Sequence, residues 1–326
     1  MRPLRVFALI ALGLILPALA ACTDPGPPDD RLTPGAEETA AAGRTPAPGS
    51  TTTGGTAVAP TPDFRGVTAN IGGAMILATT SSPLDSGLLD VLAPLFTKLT
   101  GTEVQVIGVG TAQALAMASK GTADALLVDS PSDEKQLVAS GDLVNGQLVM
   151  HNDFIIVGPA ADPAKIKGQR DLVAIMKAIA ATGPFVSRGD DSATNRTELA
   201  LWQAAGIDPK TVHGRSETGQ AGGATLVSAD QKGAYTITDR ATYLALKKSV
   251  KLDVLFENDP SLLSIYHVYS VSPDKHPGAK KAQADAWVSF MTAPATQQLI
   301  AEFKKTDAGQ ALYTPDAGKL ENSIGR

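Results

Sequence analysis

Four stretches of this chain place small hydroxylated residues or glycines where an apolar run gives way to a helical pattern. They are Thr79-Thr80-Ser81-Ser82, Gly110-Thr111-Ala112, Ser187-Arg188-Gly189-Asp190-Asp191-Ser192-Ala193-Thr194, and Gly219-Gln220-Ala221-Gly222-Gly223-Ala224-Thr225. The first turn of a helix exposes unpaired N–H groups and a partial positive charge; hydroxyls add donors, and glycine lets backbone approach a ligand closely. Taken singly, such residues are ordinary helix caps. Four of them, one carrying Arg188, suggest donors converging on an oxyanion. Donor and acceptor counting then separates ligand classes. A fully ionised tetrahedral oxyanion offers four acceptors and no proton, so its ideal site contains only donors and a facing carboxylate is repelled. Phosphate near neutral pH keeps a proton, and its site gains from an aspartate acceptor. Asp190 and Asp191 are therefore the deciding neighbours: they either cap the helix beginning at Ser192 and pair with Arg188, or face the ligand and favour phosphate.

The elements that must position these residues alternate. Ala74–Ala78 has strand character, and Leu88, Leu92, Leu95 and Leu99 then recur at helical spacing until Gly101. Val104–Val109 reads as a strand, Thr111–Lys120 as a helix, Ala125–Val128 as a strand and Ser132–Ser140 as a helix with an imperfect capping box. Leu148–Val157 is longer than a typical strand and is expected to cross between two lobes. Helices are predicted over Asp171–Ala181, Ser192–Ala205, Ala224–Lys232, Asp239–Lys248, Gly278–Met291 and Ala295–Lys305. Strands are predicted over Pro184–Val186, Ala234–Ile237, Asp253–Phe256 and Tyr266–Val271. Such alternation with short glycine-bearing turns implies an α/β fold of mainly parallel sheets covered on both faces.

The 326 residues are 43% hydrophobic, too apolar for a disordered chain, and a single cysteine excludes a disulfide scaffold. A net charge of −5 argues against nucleic acid as a partner. The amino-terminal part reads differently from the rest. Two arginines precede sixteen uncharged residues, Val6–Ala21, short for a membrane span but suited to a signal peptide. The run ends in Leu19-Ala20-Ala21-Cys22, which resembles a bacterial lipoprotein signal over residues 1–21. That resemblance implies cleavage, diacylation of Cys22 and attachment to the outer face of the cell membrane through two acyl chains. Loss of Arg2 and Arg5 with the leader takes the net charge from −5 to −7. Residues 23–66 hold eight prolines, seven glycines and nine threonines, with Leu32, Val58 and Phe64 as their large apolar residues. This composition predicts a tether through residue 70, spanning roughly 35–40 Å as a flexible coil.

Other chemistry finds little footing. Arg188-Gly189-Asp190 spells an adhesion tripeptide but sits inside the anion motif. The four histidines lack short metal-ligand spacing, and neither a nucleophile elbow nor a Walker sequence is present, so neither an enzyme nor a cofactor is expected.

Several motifs resemble the tungstate-binding proteins of bacterial ABC importers. They are Leu77-Ala78-Thr79-Thr80-Ser81 with Asp85-Ser86-Gly87-Leu88-Leu89, Val109–Leu115, Asn152–Pro159, Phe185–Ser192, Glu217–Gln220 and Gly233–Arg240, in order along residues 74–315. The chain departs from the family pattern at Ser81, where threonine is usual, at Ala112 and Ala193, where glycine is usual, and at Asn195, where histidine is common. The resemblance implies a two-lobed periplasmic-binding-protein fold with two crossing strands, lobe 1 being residues 71–150 plus 260–326 and lobe 2 residues 151–259. It implies tungstate or molybdate in the cleft, held by Thr80, Ser81, Thr111, Arg188, Ser192 and Thr194, with backbone N–H groups of Gly223 and Ala224. The implied partners are an ABC permease and its ATPase, and the receptor would be a monomer. A phosphate-binding protein is the alternative, and an adhesion protein a weaker one.

Overall fold

The computed structural model describes residues 62–324; the leader, Cys22 and nearly all of the tether fall outside the described residues. In chain order the elements are β1 (Ala74–Thr79), α1 (Ser81–Asp85), α2 (Leu88–Thr100), β2 (Glu103–Gly108), α3 (Thr111–Ser119), β3 (Ala125–Val128), α4 (Pro131–Ser140) and β4 (Leu143–Gly158). Then follow α5 (Leu172–Thr182), β5 (Phe185–Ser187), α6 (Ala193–Ala204), β6 (Arg215–Glu217), α7 (Gly222–Lys232), β7 (Thr236–Asp239), α8 (Arg240–Leu246) and β8 (Asp253–Phe256). The chain continues through β9 (Leu263–Val271), α9 (Lys281–Thr292), α10 (Pro294–Glu302), α11 (Lys305–Ala308) and β10 (Thr314–Pro315).

The first sheet runs β10-β4-β9-β3-β1-β2. Its β1 is parallel to both β2 and β3, while β9 is antiparallel to β3 and β4. Strand period explains how its two faces are covered. Met75 and Leu77 of β1 and Ala125 and Leu127 of β3 pack with Leu92, Phe96, Trp287 and Phe290. The alternate residues Ala78, Leu126 and Val128 pack with Ala114, Leu115 and Ala118 of α3. Both faces are thus apolar, as a sheet sandwiched by helices requires.

The same rule builds the second half around the far end of β4. Its sixteen residues pair with β9 from Leu143 to Asp153, then with β7 from Phe154 and with β8 from Ile156. Phe154 and Ile156 face Phe185, Trp202 and Tyr235, whereas Ile155 and Val157 face Leu226, Ala229 and Tyr243. The short parallel pair β5-β6 joins through a bridge between Phe185 and Tyr235.

Three local readings need correction. The Thr80–Asp85 turn contains a helical turn, α1. The helix predicted from Ser132 starts earlier, with Ser130 at its N-cap and Pro131 in the first helical turn; Glu134 Oε1 accepts the Ser130 N–H at 2.8 Å. The helix predicted over Ala295–Lys305 stops at Glu302, because Lys304 adopts a left-handed φ of 50°.

Candidate functional site

The N-terminal ends of four helices meet around one small cavity. Thr80, Ser81 and Ser82 come from the start of α1 and Thr111 from the start of α3. Ser192, Ala193 and Thr194 open α6, and Asp239 caps α8. Phe154, Asp129 and Arg188 complete the lining. Each of these helices begins within six residues of the end of a strand, so the alternation seen in the sequence aims their first turns at one point.

Arg188 organises the donors. It is only 5% exposed, and its Nε and Nη2 donate to Asp190 Oδ2 at 3.1 and 2.6 Å. Its Nη1 donates to Ser81 Oγ at 3.0 Å and to Thr194 Oγ1 at 3.4 Å. Because the guanidinium can only donate, each of those hydroxyls spends a lone pair on it and keeps its own hydrogen for a ligand. Thr80 Oγ1, on the wall of this cavity, is buried and has no hydrogen-bond partner within the protein.

A second layer holds this arginine in place. Glu198 of α6, 2% exposed, accepts from Trp202 Nε1 at 2.9 Å and from Arg215 Nε and Nη2, each at 3.0 Å. It also accepts from Asn195 Nδ2 at 3.3 Å and from the hydroxyl of Ser187, the residue before Arg188. Asn195 is thus a buttress beneath the loop. Gly110 lies where a Cβ would come within 3.1 Å of the Asp190 carbonyl oxygen, so the α3 and α6 turns approach through a missing side chain. Ala193 does not hold the backbone away, since its N–H reaches Thr111 Oγ1 at 3.3 Å.

Of the residues predicted for the site, Thr80, Ser81, Thr111, Arg188, Ser192 and Thr194 line this cavity together. Ser192 differs in role: its hydroxyl donates to Asp190 Oδ1 at 2.6 Å and accepts the Asn195 N–H at 3.3 Å, so it acts as the helix cap. Gly223 and Ala224 line a separate cleft with Gln220, Val227 and Leu246. The Gly223 N–H is taken by Asp85 Oδ2 at 2.8 Å, and burial pushes the Asp85 carboxyl above its usual range. Asp190 stands behind Arg188, and Asp191 turns outward to Arg196, whose guanidinium lowers its pKa.

Sequence reasoning missed two carboxylates. Asp239 Oδ1 accepts from Ser82 Oγ, Asn152 Nδ2 and the Thr242 N–H at 2.7, 3.0 and 2.9 Å. Asp129 accepts from Thr111 Oγ1 at 3.2 Å and from Ser264 Oγ at 3.1 Å. Burial, reinforced by the charges of Glu134 and Asp239, pushes Asp129 up to about 6. Both aspartates stand where a strand hands over to a helix, the same kind of position that carries the hydroxyls. Among the described residues no group of three or more acidic, histidine or cysteine side chains could hold a metal ion.

Comparison with known proteins agrees with the fold. Residues 40–295 match the PBP superfamily domain. The chain is 46% identical over 250 residues to the tungstate-binding protein TupA of Peptoclostridium acidaminophilum, covering 76% of this chain and 87% of that one. It is similar to the solved tungstate-binding protein TupA from Desulfovibrio alaskensis, with a TM-score of 0.63, 42% identity, and coverage of 76% of this chain and 100% of that one. The solved tungstate ABC transporter protein of Geobacter sulfurreducens gives a TM-score of 0.64 at 39% identity, covering 72% of this chain and 100% of that one. By the family model and by these identities, the chain belongs to the PBP superfamily, in the family that contains the TupA proteins.

Proposed function

We propose that this chain is the solute-binding protein of an ABC importer and that its solute is tungstate, held as the tetrahedral oxyanion in the Arg188 cavity. The carrying observation is the donation from Arg188 Nη1 to Ser81 and Thr194, which leaves both hydroxyl hydrogens free beside the unpartnered Thr80 hydroxyl. The names of the relatives supply the choice of tungstate; molybdate has the same charge and acceptor set and is a second candidate of the same class. In this reading Thr80, Ser81, Thr111, Arg188 and Thr194 contact the anion, and Ser192 supports them. The two halves, residues 71–150 plus 260–326 and residues 151–259, act as lobes that close on the ligand, and the closed face is what a permease with its ATPase recognises. Cys22, diacylated after cleavage of residues 1–21, anchors the receptor outside the membrane with a monomer as the working unit; of the leash expected over residues 22–70, the end is docked, since Phe64 stacks on Phe290 and Val67 packs against the core. No helix among the described residues is long and apolar enough to cross a membrane.

Phosphate is the second reading, and Asp129 favours it, because a carboxylate on the cavity wall could accept a proton that a bound anion carries. Calorimetric titration of the full chain with tungstate, molybdate, sulfate and phosphate decides between them. Heat from tungstate or molybdate, with phosphate silent, is the expected outcome. Heat from phosphate alone overturns the tungstate assignment.

A further inference from the structure

Asp129 is a problem for any site that takes a doubly charged anion without a proton. The residue is 9% exposed and lines the cavity with Thr80, Thr111 and Arg188. Its Oδ1 accepts the Thr111 hydroxyl and its Oδ2 accepts the Ser264 hydroxyl. Thr111 Oγ1 already accepts the Ala193 N–H. While Asp129 is ionised, the one hydrogen of Thr111 is therefore committed to the carboxylate, and what the pair offers a ligand is negative charge and lone pairs. The surroundings do not relieve this. Glu134 on α4 and Asp239 at the end of β7 add like charge, Tyr266 of β9 and Tyr313 are neutral neighbours whose own ionisation is opposed by Asp129, and Arg188 is already committed to Asp190.

Resting on the tungstate reading, we propose that Asp129 is the neutral acid in the anion-bound state, so that each oxyanion bound takes up one proton. The proton comes from the buffer and forms an O–H bond at Asp129 Oδ1; no covalent bond breaks within the protein or the anion. That O–H then donates to Thr111 Oγ1, and the Thr111 hydrogen leaves the carboxylate and turns to an anion oxygen. Thr111 keeps two donors on its lone pairs, from Ala193 and Asp129, and becomes a donor to the ligand. One proton thus converts a repelling pair into a donating one, and Asp129 becomes the residue that selects the ligand's proton content.

The ligand-free protein is poised for this. Burial already holds Asp129 at about 6, and a dianion alongside moves it further up. Above that value binding must draw a proton from solution, so affinity falls by about tenfold for each unit of rising pH, and the dependence flattens below about 6. The test is titration of the full chain with sodium tungstate at pH 7 and pH 8, each in two buffers of different ionisation enthalpy. Wild-type protein should take up about one proton per tungstate at pH 8 and bind about tenfold more weakly than at pH 7. Asp129→Asn, whose amide donates without titrating, should bind with no proton uptake and no change between the two pH values. Tungstate binding by wild type without proton uptake overturns the proposal by itself, whether or not the variant folds, and so does an unaltered pH slope in Asp129→Asn. Phosphate binding without uptake, lost in Asp129→Asn and with tungstate silent, overturns the tungstate reading instead and makes Asp129 the acceptor of the ligand's proton. Silence from every anion overturns both.

Discussion

Replacing Arg188 tests the site most directly, because it is the one cation among the residues lining the cavity. Alanine at this position removes four hydrogen bonds: two to Asp190 Oδ2, one to Ser81 and one to Thr194. Asp190 keeps donors from Ser192 on Oδ1 but loses both donors on Oδ2, so its charge becomes uncompensated beside an anion site. Truncating one member of a desolvated charge pair costs about 2–5 kcal/mol in binding, which corresponds to a weakening of about 30- to 5,000-fold. Arg188→Lys restores the charge without the planar fork, so it should recover only part of this loss: one ammonium cannot reach Asp190, Ser81 and Thr194 together. The assay is calorimetric titration of the full chain with tungstate, with urea denaturation of each variant to separate ligand effects from folding. Asp190→Asn should lower affinity less than Arg188→Ala, since it leaves the arginine. A dissociation constant for Arg188→Ala within threefold of wild type would refute the assignment.

Three further outcomes follow from the same geometry. Asp129→Asn should stabilise the ligand-free protein at pH 8 by about 3 kcal/mol at most, from the rise of 3.8 to about 6. A raised folded pKa means the ionised form is penalised above about 6, so the gain should shrink as pH falls through 6 and vanish near 4; urea midpoints at pH 8 and 4.5 that differ equally from wild type would contradict this. Thr80→Val removes a buried hydroxyl that satisfies nothing in the ligand-free protein, so the melting temperature should hold or rise while anion binding weakens by about 1 kcal/mol. A melting temperature several degrees lower would show that the hydroxyl is structural. Glu198→Ala should cost about 3–5 kcal/mol in urea denaturation, because Arg215 keeps only Glu217 and the Trp202, Asn195 and Ser187 donors lose their acceptor; an unchanged urea midpoint would remove Glu198 from the supporting layer.

Much of the architecture was legible from period alone. The spacing of Leu88, Leu92, Leu95 and Leu99 with Gly101 marks α2, and Gly101 does adopt a left-handed φ of 73° with its N–H on Thr97. The elements that escaped were those set by tertiary contact. The five residues of α1 are too few to show a period, and β6 is three residues of Arg-Ser-Glu whose strand character comes from pairing with β5. At the cavity, donor chemistry points to hydroxyls and glycines and not to carboxylates at equivalent turns. Asp129 follows β3 and Asp239 ends β7, much as Thr80 follows β1, but nothing local distinguishes a cap that faces solvent from one that faces a cavity. Gly223 shows the converse: its turn has the right composition, yet Asp85, 138 residues earlier, occupies its N–H.

The partner change along β4 also bears on how the chain reaches this structure. From Leu143 to Asp153 the strand pairs with residues 110 to 128 positions later, and Phe154 pairs with Asp239, 85 positions later. Neither edge of this strand can be satisfied by nearby sequence. Contacts of such long range carry a large loop-closure cost, which slows the search for the native state. A chain missing β9 would leave the first half of β4 as an open hydrogen-bonding edge, a template for self-association. The strand that unites the two sheets therefore has to wait for the last quarter of the sequence before the edge of its first half that β9 covers is paired.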